Sequence, residues 1–166
     1  MHSLQKITPC LWFDGNAEEA ARYYVGVFRN AKVCDTSRYP DAGKEHHHQQ
    51  PGSVMTVGVE LDGQRFTLMN GGPMFKFSPA VSLQINCETQ EGIDYFWDRL
   101  SEGGAPEAQA CGWLADKFGL SWQVVPTILP SLIVDADSEK TGRVMTALLQ
   151  MKKLDIAELK KAYAAT

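Results

Sequence analysis

The residues best placed to do chemistry in this 166-residue chain are three consecutive imidazoles, four cysteines and one carboxylate at a turn. His46-His47-His48 is the most conspicuous run. Imidazole is the commonest metal ligand and the usual proton shuttle near neutral pH. Three successive imidazoles on an extended loop point in different directions, however, and no Asp or Cys stands at a partner spacing. The run is therefore expected to be a solvated loop with loose affinity for nickel; the rival reading is a functional metal site. Cys10, Cys34, Cys87 and Cys111 are widely spaced and form no C-x-x-C pair, so neither a zinc ribbon nor a disulfide scaffold is indicated. Cys10 and Cys111 are candidates for a reactive thiol, a role that needs a base or cation to favour the thiolate. Asp116 precedes Lys117-Phe118-Gly119 and either accepts backbone N–H bonds at a turn or acts as a general acid or base. Gly71-Gly72 and Gly103-Gly104 read as turns and helix stops, because nothing resembles G-x-G-x-x-G after a strand.

The elements that must position these residues follow from periodicity. Ile7–Phe13 reads as a short buried strand ending at Asp14-Gly15-Asn16. Asn16 with Glu19 suggests a capping box. Ala17, Ala20, Ala21, Tyr24 and Phe28 then form one face of an amphipathic helix. A strand follows at about Lys32–Tyr39, then a polar loop from Pro40 to Gly52. Ser53–Leu61 alternates as a strand, and Asp62-Gly63 predicts a type I′ hairpin into Gln64–Met69.

The order restarts about 73 residues after the first strand. Ala80–Glu88 reads as a strand with Val81, Leu83, Ile85 and Cys87 on one face, so Cys87 is expected to be a packed core thiol. Thr89 caps a helix carrying Ile93, Phe96, Trp97 and Leu100. Strands are expected near Glu107–Ala115 and Leu120–Val125. The pattern repeats although the sequence does not. Outside the repeat, Asp137 or Ser138 starts a helix through Leu149, and Leu154–Ala165 forms another.

Composition limits the partners. Hydrophobic residues make up 44% and charged residues 22%, ordinary for a globular domain. A formal charge of -4 argues against a nucleic-acid partner, which would require a basic face. No apolar run reaches the length of a membrane span, and the segment Met1–Lys6 lacks the apolar core of a signal peptide. A cytoplasmic, bacterial-type protein is expected.

Several segments resemble one family. Ile7-Thr8-Pro9-Cys10-Leu11-Trp12-Phe13-Asp14-Gly15-Asn16-Ala17-Glu18-Glu19-Ala20, Met69-Asn70-Gly71-Gly72-Pro73, Cys87-Glu88-Thr89-Gln90-Glu91 and the stretch from Cys111 to Gln123 are similar to the PhnB-like branch of the vicinal-oxygen-chelate superfamily. That superfamily includes glyoxalase I, extradiol dioxygenases and bleomycin-resistance proteins. PhnB-like members often carry the label 3-demethylubiquinone-9 3-methyltransferase. The resemblance spans nearly the whole chain and implies an α+β fold. It comprises tandem βαβββ modules (5–73 and 79–127) around a cleft, with C-terminal helices at 130–166, all within one domain, 1–166.

In metal-using relatives four cleft positions supply His, Gln or Glu; on this sequence they fall at Thr8, Thr67, Ala80 and Gln123. Three of these are not credible ligands, so no metal and no cofactor are expected. The expected function is metal-free binding of a small, partly apolar molecule by a homodimer. Its cleft would be lined by Cys10, Trp12, Thr67, Met69, Gln84, Cys111, Trp113 and Gln123. The alternative is an enzyme of the superfamily, a lyase, isomerase or transferase, acting in the same cleft through Asp116, Cys10 or Cys111.

Overall fold

The computed structural model describes residues 5–165; most of the segment read for a signal peptide, Met1–Leu4, lies outside the described residues. The chain divides into two compact units, Met1–Lys76 and Phe77–Thr166. The second module and the C-terminal helices share one unit. No helix among the described residues is long and apolar enough to cross a membrane.

The first unit holds β1 (Cys10–Phe13), α1 (Ala17–Val27), β2 (Ala31–Arg38), α2 (Lys44–His47), β3 (Val54–Leu61) and β4 (Gln64–Asn70). Its sheet runs β1-β4-β3-β2, with β1 parallel to β4 and the other pairs antiparallel. The apolar face of α1, built from Ala17, Ala20, Ala21, Tyr24 and Val27, is buried and packs on β2, β3 and β4. Leu11, Phe13, Val57, Val59, Phe66 and Leu68 complete this core. Asp62 and Gly63 both take positive φ, 47° and 81°, as a type I′ hairpin turn requires.

Three expectations in this unit are corrected. Ile7 is 84% exposed and the strand starts only at Cys10, because Pro9 has no N–H to donate and joins β4 only through its carbonyl, which accepts from Thr67 N–H (2.9 Å). Asn16 occupies the position before α1 but makes no side-chain cap. The cap comes from Asn70, 53 residues on, whose Oδ1 accepts from Ala17 N–H (2.9 Å) while its Nδ2 donates to Val54 O (3.1 Å). The polar loop after Tyr39 contains the single turn α2, flanked by left-handed Gly43 and His48, rather than an extended run of imidazoles.

The second unit holds β5 (Ser82–Cys87), α3 (Gln90–Ser101), β6 (Trp113–Ala115), β7 (Ser121–Pro126), α4 (Leu129–Ile133), α5 (Ser138–Leu149) and α6 (Ile156–Ala164). Its sheet runs β5-β7-β6, with β5 parallel to β7 and β6 antiparallel to it. The parallel outer pair repeats the β1–β4 pair, but no strand stands where β2 stands in the first unit. A 3-10 turn at Pro106–Ala108 lies there instead, and the strand expected from Glu107 begins only at Trp113. The backbone is diverted by Cys111 and Gly112, both at positive φ, whose N–H groups donate to Met151 O and Lys152 O (2.8 Å each). Val81, expected on the core face, is 69% exposed and precedes the strand. Thr89 caps α3 by accepting from Gly92 N–H, and Asp137 caps α5, both as expected. Val125, Leu132, Val144, Leu154 and Leu159 form a core that joins β7 to the terminal helices. Gln90 fastens α6 to α3: its Nε2 donates to Leu154 O and its Oε1 accepts from Ile156 N–H.

Candidate functional site

Strand parity determines which side chains are left for a ligand. On β1, Leu11 and Phe13 are buried, whereas Cys10 is exposed and Trp12 half-buried, so the mixed set faces away from α1 as expected. Registry across the sheet aligns Cys10 with Thr67 and Trp12 with Met69. The latter row continues to Thr56 and Ser37, whose hydroxyls share a hydrogen bond of 2.6 Å. Four of the expected cleft residues therefore share one sheet face of the first unit.

Trp12 is held firmly. Its Nε1 donates to Gly72 O (2.8 Å), and its ring meets Phe75 edge-on with centroids 4.9 Å apart. The indole lies so close over Gly71 that a Cβ there would stand 2.1 Å from Cζ2. Beside it opens a cavity of about 690 Å³ lined by residues that include Trp12, Tyr39, Met69, Met74, His47 and Gln49. The volume lies within the usual range for small-molecule sites.

The imidazole run contributes to this cavity in a way that sequence reasoning missed. His46 and His48 are exposed, but His47 is half-buried and stacks on Tyr39 with ring centroids 4.7 Å apart. Tyr39 is itself fixed, its hydroxyl donating to Asn70 O (2.6 Å). His47 Nδ1 accepts from Gln49 N–H (3.0 Å), and its Nε2 is buried with no hydrogen-bond partner. The solvated loop expected for His46-His47-His48 is thus corrected at the middle residue. No local sequence signal marks the stacking partner, which lies eight residues upstream.

In the second unit, Gln84, Gln123 and Trp113 line up across β5, β7 and β6 as register partners. Gln123 Nε2 donates to Ser82 Oγ (2.9 Å) and Gln84 Nε2 to Asn86 Oδ1 (2.8 Å). Cys111 is not on a strand. It sits half-buried in the left-handed turn before β6.

The candidates for chemistry are placed as follows. Asp116 is 2% exposed, and its oxygens accept from Phe118 N–H (2.9 Å), Leu120 N–H (3.1 Å) and Trp122 Nε1–H (2.9 Å). This is the geometry of the turn-holding carboxylate. Desolvation pushes the Cys10 thiol above its ordinary value, which disfavours the thiolate a nucleophile requires. Cys87 is buried as expected, and desolvation pushes its thiol up to about 11. All four cysteines are free.

The positions that would hold a metal in metal-using relatives do not fit one. Thr8 and Ala80 are exposed and precede their strands, Ala80 has no donor atom, and Thr67 offers only a neutral hydroxyl. The Gln123 amide is engaged by Ser82. Among the described residues no three His, Cys, Asp or Glu side chains gather where they could hold a metal ion.

A parallel strand pair at one edge of each sheet with antiparallel strands beyond it, one amphipathic helix per sheet and a partial internal repeat define a protein of the vicinal-oxygen-chelate, glyoxalase-like fold. Comparison with known proteins narrows this. Residues 5–125 match the family described as 3-demethylubiquinone-9 3-methyltransferase. The PhnB protein from Bacillus cereus is 35% identical, with 74% of this chain and 100% of that one covered and a TM-score of 0.63. A protein from Pseudomonas aeruginosa is 22% identical over 75% of this chain and 98% of its own, with a TM-score of 0.57. The fosfomycin resistance protein FosX from Listeria monocytogenes shares the fold at 15% identity, with 79% and 97% covered and a TM-score of 0.50. No curated protein matches the sequence. The chain belongs to the PhnB-like, 3-demethylubiquinone-9 3-methyltransferase family of that superfamily.

Proposed function

We propose that this chain is a binding protein for a small, partly apolar molecule, working without a resident metal, and that the ligand lies in the first unit's cavity beside Trp12 and Met69. The observation that carries the reading is the wall built there. A fixed indole, two methionines and the Tyr39 ring line a space of about 690 Å³ together with the polar side chains of His46, His47, His48 and Gln49. Cys10 and Thr67 extend the same sheet face. Gln84, Trp113 and Gln123 form an aromatic and polar strip on the second unit's own sheet and are proposed as a further contact surface, with Cys111 at its margin.

A homodimer in the cytoplasm is part of the proposal. It is supported by the unpaired outer strands of each sheet and by exposed apolar side chains such as Val33, Met74 and Phe75. Native mass spectrometry of untagged protein tests the binding reading. The wild type should carry a small organic molecule that is released with unchanged mass on denaturation, and Trp12→Ala should lose it. If the two proteins carry identical complements, the cavity is not the ligand site. A released molecule whose mass changes on incubation with the protein would establish an enzyme instead.

A further inference from the structure

We propose that α2 and the residues flanking it form a lid over the first unit's cavity, which opens by lifting His47 off Tyr39. The inference rests on the reading of that cavity as the ligand site and adds how the site is entered. Four successive residues, His46, His47, His48 and Gln49, line the cavity together with Trp12 and Met69 of the sheet. The chain that carries them leaves the sheet at Tyr39 and is drawn together at its base. There Tyr39 N–H donates to Ser53 O (2.9 Å) and Gly52 N–H donates to Tyr39 O (2.8 Å). A surface loop whose ends are pinned this closely moves without disturbing the strands it joins.

Little ties this segment to the sheet. Among the described residues, the hydrogen bonds of 43–49 all close within the segment: His46 and His47 N–H donate to Gly43 O, His48 N–H to Lys44 O and Gln49 N–H to His47 Nδ1. His46 pairs with Glu45, and both side chains are exposed. No residue of α2 is fully buried, and the ring contact that fastens it is the stack of His47 on Tyr39. That fastening is opposed from two sides. Because Nδ1 accepts from Gln49 N–H, Nε2 of the neutral ring carries the hydrogen, and it is buried without an acceptor. An unmet buried donor works against the packing that buries it, so lifting the ring into water relieves the donor at the expense of the stack. The ends of α2 supply the pivots. Gly43 (φ 80°) and His48 (φ 54°) both stand in the left-handed region, which a residue with a side chain seldom adopts. A single stack set against an orphaned donor and a left-handed hinge narrows the gap between closed and open states, as a lid requires.

The test reads opening and entry separately in the full-length protein. In NMR relaxation dispersion without ligand, the amides of 43–49 should exchange on the microsecond-to-millisecond scale while those of β3 and β4 stay flat. The His47 Nε2 proton should exchange with water no faster than the lid opens. His48→Gly relieves the hinge and should lower the open population. Gly43→Ala strains the closed backbone without a clash, since the new Cβ meets His47 Cδ2 at 3.8 Å, and should raise it. Each change should be roughly threefold. Association of 2-ethylnaphthalene, an apolar probe followed by stopped-flow tryptophan fluorescence, should slow in His48→Gly and quicken in Gly43→Ala by matching factors. Flat dispersion across 43–49, or shifts of the same sign in the two variants, would overturn the lid. Equal association rates in all three proteins, with binding abolished by Trp12→Ala, would leave the cavity reading standing and overturn the gate. If the wild type does not bind the probe, the cavity reading falls and the gate falls with it.

Discussion

Gly71→Ala should displace Trp12 and thereby close the cavity. Gly71 does not adopt a positive φ, so alanine meets no left-handed backbone strain there, and the effect isolates the steric contact. The added Cβ would stand 2.1 Å from Trp12 Cζ2. Carbon atoms pack at about 3.5–4.0 Å, so the indole must retreat by roughly 1.5 Å. That movement breaks the bond from Nε1 to Gly72 O, worth about 0.5–1.5 kcal/mol net. It also disrupts the edge contact with Phe75, worth about 0.5–1.5 kcal/mol. The loss of stability should therefore be about 1–3 kcal/mol, read from urea unfolding followed by circular dichroism. In a Trp12→Ala background the steric cause is gone, and Gly71→Ala should be neutral or stabilise by up to about 1 kcal/mol through the unfolded chain. If Gly71→Ala leaves stability and near-ultraviolet signal unchanged in the wild-type background, or costs as much without Trp12 as with it, the indole does not depend on Gly71.

Four further outcomes are expected. Leu11→Ala should cost about 2–5 kcal/mol, because the side chain is buried under α1, whereas Cys10→Ser should leave unfolding nearly unchanged; a Cys10 that labels only in denaturant would contradict the strand parity. Lys153 holds Asp94 below the ordinary carboxylate range through a 2.8 Å ion pair, so this exposed pair should add no more than ~1 kcal/mol above the unfolded-state value, and that increment should fade as the pH drops through the depressed folded value. Asp94→Asn should accordingly lose stability at neutral pH and match the wild type in strong acid, which acid-urea titrations would check. Elemental analysis of untagged protein should find well under one metal equivalent per chain, and calorimetry with S-adenosylmethionine should show no saturable micromolar binding, because neither sheet is the doubly wound parallel kind that such a nucleotide site uses; a stoichiometric metal that survives replacement of His46, His47 and His48, or saturable binding of the cofactor, would refute the respective expectation.

Much of the fold is legible in local pattern. The alternation in 54–61, the Asp62-Gly63 turn, the apolar faces of α1 and α3, and the caps at Thr89 and Asp137 all depend on neighbours a few residues away. The two faces of β1 are legible for the same reason, since successive side chains on a strand must alternate. That alternation was enough to group Cys10 with Trp12, whereas the β1–β4 register brings Thr67 and Met69 onto the same face. What the sequence could not determine is which polar group meets which across long separations. Asn16 has the right type and spacing for a cap, yet the Ala17 N–H is met by Asn70, because β4 ends beside the start of α1 only once the sheet has formed. Asp116 could have been an acid or a turn, and the turn reading rests on Trp122 Nε1 and two backbone N–H groups converging on its oxygens. The position between α3 and β6 carries too weak a pattern to specify an edge strand, and the 151–152 segment captures the backbone of Cys111 and Gly112 instead. His47 illustrates the limit most clearly: its neighbours His46 and His48 have the same chemistry, and only the burial of Tyr39 against Asn70 sets the middle ring apart, with one nitrogen satisfied and the other without a partner.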